Sequence, residues 1–203
     1  MTGSWAGSRR AFADAAGSFV RTVARVGDRW AEPGLGEWDV RSLVGHTSRS
    51  LLTVETYLAR PAAAVEVGSA AGYVRATRAI AAGPDVAQRG RDAGTALGED
   101  PAAAVAAIAA RVVPLVDGRD GGELLTTVAG GMRLADYLPT RTFELVVHTA
   151  DLAAALDLPA EVPPAAAEEA LAVVCAVAVA DGTAGPLLRA VTGRGAPAGF
   201  SVL

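Results

Sequence analysis

The run Arg141, Thr142, Phe143, Glu144, Leu145, Val146, Val147, His148, Thr149, Ala150, Asp151, Leu152 carries the pattern that decides the fold. At about 100° per residue, Arg141, Glu144, His148 and Asp151 share a helical strip roughly 80° wide. Leu145 and Leu152 flank that strip on one side and Val147 on the other. The apolar arc is too wide for a surface helix, so the segment reads as a largely buried helix whose narrow polar strip can face a cleft.

Working outward, this helix begins near Leu134, or restarts near Thr140 because Pro139 interrupts the pattern, and continues through Leu156. A helix follows Pro163 and Pro164 to about Ala180, with a short one over Pro186 to Val191. Upstream, Asp100 and Pro101 form an N-cap and first-position pair for a helix reaching about Val116, which Asp117 to Gly122 break. The Gly-rich polar stretch from Pro84 to Gly98 reads as irregular. Ser69 to Ala82 reads as a helix ended by Gly83 and Pro84. Asp39 is an N-cap candidate for a helix from Val40 to about Ala59, its start anchored in the core by Trp38. Phe12, Ala16, Phe19, Val20, Val23 and Val26 mark a first helix over about Gly7 to Val26. Four principal amphipathic helices with shorter additions imply an all-α four-helix bundle, expected to form a single domain over residues 1–203.

Composition narrows the function. The chain has 203 residues, a formal net charge of −4 and no cluster of basic residues along a helix face, so nucleic acid is not an expected partner. The longest apolar run, Ala170 to Ala180, is well short of the roughly 20 residues that span a bilayer. Asp14 also interrupts what would be a signal peptide's apolar segment, so a cytoplasmic protein with no membrane partner is expected. Cys175 is the single cysteine, which excludes an internal disulfide and a thiolate metal cluster. Its apolar neighbours read it as buried and structural. Oligomeric state is not legible.

Glu144 and His148 are one helical turn apart, so their side chains can converge on one ion. The spacing alone favours a solvated face instead, with Arg141 pairing to Glu144 and Asp151 to His148. The other histidine, His46, lies at the edge of the apolar arc formed by Leu43, Val44, Thr47, Leu51, Val54 and Leu58. A lone edge histidine is commonly a satisfied side chain. If the two helices face one cleft, however, two His and one Glu supply three ligands and leave a position open, the pattern of catalytic zinc.

Two blocks carry a family resemblance: Gly34, Leu35, Gly36, Glu37, Trp38, Asp39, Val40, Arg41, Ser42, Leu43, Val44, Gly45, His46, and the run from Arg141 to Leu152 already quoted. With Thr192, Gly193 and Arg194 near the end, the sequence resembles the mycothiol-dependent maleylpyruvate isomerase-like family, whose N-terminal domain is a DinB-like four-helix bundle. The resemblance implies that His46, Glu144 and His148 are metal ligands and that the ion is zinc or another divalent metal. Mycothiol as the thiol implies an actinobacterial source, and the absence of Lys and Asn fits a GC-rich genome. The isomerase has a sterol-carrier-like C-terminal domain, which is not expected in this chain, so its own reaction is not carried over.

The activity this implies is a metal-dependent, thiol-dependent S-transferase or isomerase joining a small-molecule thiol, mycothiol, to an electrophilic substrate. In that scheme Asp151 orients a ligand or acts as a base, and Arg141 and Arg49 bind the cofactor's anionic groups, although structural salt bridges suit both arginines as well. Tyr57 either lines the pocket or packs as a core aromatic. The rival is a non-catalytic metal-binding or ligand-binding helical module.

Overall fold

The computed structural model describes residues 4–81, 83 and 85–202. It is mostly helical, as an all-α bundle requires. The helices are α1 (Trp5–Val23), α2 (Val40–Leu58), α3 (Ala70–Ala81), α4 (Val86–Ala96), α5 (Pro101–Asp117), α6 (Leu134–Ala155), α7 (Pro164–Ala180) and α8 (Ala184–Val191). Two antiparallel hairpins join them: β1 (Pro33–Leu35) with β2 (Trp38–Asp39), and β3 (Leu124–Thr127) with β4 (Gly130–Arg133). Ala82 and Pro84, read as the end of the third helix, lie outside the described residues. Among the described residues no helix is long and apolar enough to cross a membrane.

α1 and α2 each pack against both α5 and α6, and these four helices enclose the main core. Phe12, Phe19, Leu43, Leu51, Tyr137, Leu145 and Leu152 are fully buried there. α7 packs on α1 and α6, α3 covers α6 and α7, and α4 lies along α2. The N-cap readings hold in detail: Asp39 accepts a hydrogen bond from the Ser42 amide and Asp100 one from the Ala103 amide. Such caps contribute about 1 kcal/mol each.

Three expectations require correction. First, residues 86–96 are helical, not irregular. Their glycines, which argue against a helix, instead permit close packing: a Cβ on Gly94 would lie 2.8 Å from the Arg41 carbonyl oxygen, and one on Gly90 would lie 2.4 Å from the Trp38 indole. Tertiary contact thus outweighs a propensity cost of about 1 kcal/mol per glycine. Arg41 reinforces the contact by donating to the carbonyls of Gly94 and Gly98.

Second, of the two starts considered for α6, the one at Leu134 holds and the restart near Thr140 does not: the helix runs unbroken through Pro139. Leu134, Tyr137 and Leu138, all fully buried, hold the turns around the proline, and Thr140 Oγ1 donates to the Tyr137 carbonyl at 2.6 Å. Third, Cys175 is exposed. The core positions of α7 are Ala166, Ala170, Val173 and Val177, so the helical period turns residue 175 outward despite its apolar neighbours.

Candidate metal centre

α2 and α6 pack side by side, and the polar strip of α6 faces α2. Asp39 fixes where α2 begins, and one residue before His46 the backbone of α2 rests on α4: a Cβ on Gly45 would lie 2.1 Å from the Gly94 nitrogen. The His46 imidazole then stacks on Trp38, ring centroids 4.4 Å apart at 33°. The indole is held by its Nε1 donating to the Ala87 carbonyl at 3.0 Å. From α6 the His148 ring meets His46 edge to face at 4.9 Å.

Ligand atoms of His46, Glu144 and His148 all lie within 4.8 Å of one another. His148 Nε2 is 3.3 Å from Glu144 Oε2, and its Nδ1 is 3.0 Å from Asp151 Oδ2. Asp151 is therefore engaged with the outer nitrogen of that ring. His46 Nδ1 is buried and has no hydrogen-bond partner among the described residues, a condition that costs about 1–3 kcal/mol when nothing takes the nitrogen. The residues fit a divalent ion: two imidazoles and a carboxylate are borderline-soft and hard donors suited to zinc, one donor is already orphaned, and one imidazole carries the carboxylate partner usual for a ligating histidine.

The charge state follows from the surroundings. Burial and the nearby positive charges of His148, Arg49 and Arg141 depress His46 to about 4, with Glu144 acting in the opposite direction, so this ring is neutral. Burial also disfavours charge on His148, but the hydrogen bonds to Asp151 and Glu144 outweigh it and raise the ring to about 9. Burial would raise Glu144, yet the His148 hydrogen bond and the Arg141 charge hold it well below the usual carboxylate range.

Arg141 does not pair with Glu144. Its guanidinium lies over the rings of Tyr137 and Tyr73, at 5.0 and 5.3 Å from their centroids, and its Nε donates to Thr140 Oγ1. Neither Arg141 nor Arg49 forms a salt bridge among the described residues, contrary to the structural role considered for them. Tyr57 packs on Tyr137 at 5.4 Å, the core-aromatic alternative. Sequence reasoning missed Tyr73 and Tyr137 as neighbours of Arg141, and missed the face that Trp38 presents to His46. A single cue was present for the second: Trp38 and His46 stand on either side of the Asp39 cap.

A helical bundle with a two-helix His–Glu–His cluster is the class these observations define. The sequence model of the mycothiol maleylpyruvate isomerase N-terminal domain matches residues 9–153, and the chain belongs to that family. The matched region contains all three residues of the cluster. No curated protein and no solved structure matches the chain.

Proposed function

We propose that this chain is a divalent-metal enzyme that uses a small thiol, mycothiol by family membership, to transfer to or isomerise a small electrophile. The observation that carries the reading is the convergence of His46, Glu144 and His148 from two helices, with ligand atoms within 4.8 Å and Asp151 on the far nitrogen of His148. His46, Glu144 and His148 would hold the ion, for which zinc is the expected identity. When bound, such an ion stabilises a thiolate and polarises an electrophile at neutral pH.

The chain's own residues do the remaining work. Asp151 holds His148 with Nε2 turned toward Glu144, a positioning role in preference to that of a base. Trp38 covers one face of His46 and keeps water from it. Arg141, stacked on two tyrosines and lacking a carboxylate partner, presents guanidinium N–H groups suited to an anionic group of the thiol or substrate. Arg49 adds positive charge on the same side, as its effect on His46 indicates.

Elemental analysis of the purified protein should give close to one zinc or similar ion per chain, and His148→Ala should lose it. Conjugation of mycothiol to a test electrophile should stop on chelation and return with metal. Absence of metal even after reconstitution would overturn the reading. Metal without thiol-dependent turnover would leave the non-catalytic module.

A further inference from the structure

A cavity of about 490 Å³ opens on the side of α6 turned away from the histidine cluster. Its walls come from α1 (Ala15, Ser18, Arg21, Thr22) and the turn after it (Arg25), from α6 (Val146, Thr149, Ala150, Ala153) and from the connection Leu158 to Pro163. At about 100° per residue, the α6 wall positions centre about 180° from Glu144, His148 and Asp151. None of the cluster residues lines it. A space of this size is within the range that holds small organic ligands, which is about 300–1,000 Å³.

The polar groups are unevenly placed. Arg21, near the end of α1, and Arg25, in the turn that follows it, line the cavity, and among the described residues neither guanidinium has a carboxylate within salt-bridge distance. Thr149 is 7% exposed, and its Oγ1 is buried without a hydrogen-bond partner. The wall ends at Pro163, where α7 starts with no side-chain cap and no acid in its first turn, so the positive end of that helix is not neutralised. Ser18 and Thr22 already donate, to the Glu161 and Ser18 carbonyls. Apart from the Glu161 side chain, the rest of the lining is apolar: alanines, valines, prolines and Leu158.

Two guanidiniums and the Glu161 carboxylate leave one net positive charge on the walls. That balance suits a monoanion better than a phosphate dianion, and an arginine fork matches the two oxygens of a carboxylate. We propose that this cavity is a second binding site, separate from the metal centre, for a small monocarboxylate with an apolar body. Arg21 and Arg25 take the carboxylate, and the Ala- and Val-lined wall of α6 takes the body. The proposal is independent of the catalytic reading, because it uses no residue of the cluster.

Octanoate is the probe, titrated calorimetrically against the full chain. Saturable binding at one site per chain is expected for the wild type and for His148→Ala. The double variant Arg21→Gln/Arg25→Gln, which changes two exposed side chains, should bind about tenfold more weakly or worse. Ala150→Trp should block binding by filling the cavity, and octanamide, which has no charge, should bind no better than the double variant does. Absence of saturable binding by the wild type, equal binding by the arginine double variant, equal binding of octanamide, or loss in His148→Ala would each overturn the proposal.

Discussion

Oδ2 of Asp151 lies 3.0 Å from Nδ1 of His148 on the same helix, leaving Nε2 of that ring directed at Glu144. A carboxylate on the outer nitrogen both orients the ring and favours its proton, so uptake of an ion must displace a proton from His148 at neutral pH.

Asp151→Asn is expected to have two effects. At neutral pH, calorimetry in buffers of different ionisation enthalpy should show fewer protons released per ion than in the wild type, because the raised value of about 9 for His148 depends on Asp151. Above that pH the wild-type ring is itself neutral, and chelator competition should show a 10- to 100-fold loss of affinity, roughly the range for a lost second partner. Unchanged proton release would remove Asp151 from the site.

On the proposed function, Arg141→Gln should leave any bound metal in place while raising the KM for the thiol, with mycothiol as the one assayed, by about tenfold or more, with a smaller change in kcat. Arg141→Lys should not restore it, since an ammonium reproduces neither the planar stack on Tyr73 and Tyr137 nor the fork of donors. Full activity in either variant would mean that the guanidinium only fills space.

Gly45→Ala should destabilise the fold by about 1–3 kcal/mol in urea unfolding, because the added methyl meets the α4 backbone. Metal affinity should fall with it, as the neighbouring residue is His46. A variant as stable as the wild type would show that α4 can retreat freely.

Glu169 tests the core electrostatics. Burial raises its pKa above the ordinary 4.5, against the opposing pull of the hydroxyls of Ser8 and Thr142. Ser8 Oγ donates to its Oε1 at 2.5 Å, and its Oε2 is buried without a partner. An acid raised in the folded state binds its proton more tightly there than when unfolded. The wild type should therefore lose stability relative to Glu169→Gln as pH rises from about 4.5 through the folded value, and keep that deficit above it. Parallel melting curves against pH for both proteins would refute this.

Much of the frame was legible because its signals are local. Asp39 and Asp100 cap helices within three residues of themselves, and the α6 strip is a pattern within one turn-repeat. What escaped depends on contacts across the chain. The glycines at 90 and 94 read as breakers until α2 is laid against them, and Cys175 reads as buried until the partners of α7 set which face turns inward. The cluster was visible as candidate ligands, since two of its three residues share a helix. The cavity was not, because its arginines, its orphaned hydroxyl and its proline-rich wall come from three separate segments.

The backbone meeting of Gly45 and Gly94 makes a helix that contributes no residue to the cluster the shim that sets the height of His46. Fitting this cluster to an ion of another radius would thus begin on α4, at the thickness of two glycines, before His46, Glu144 or His148 were exchanged.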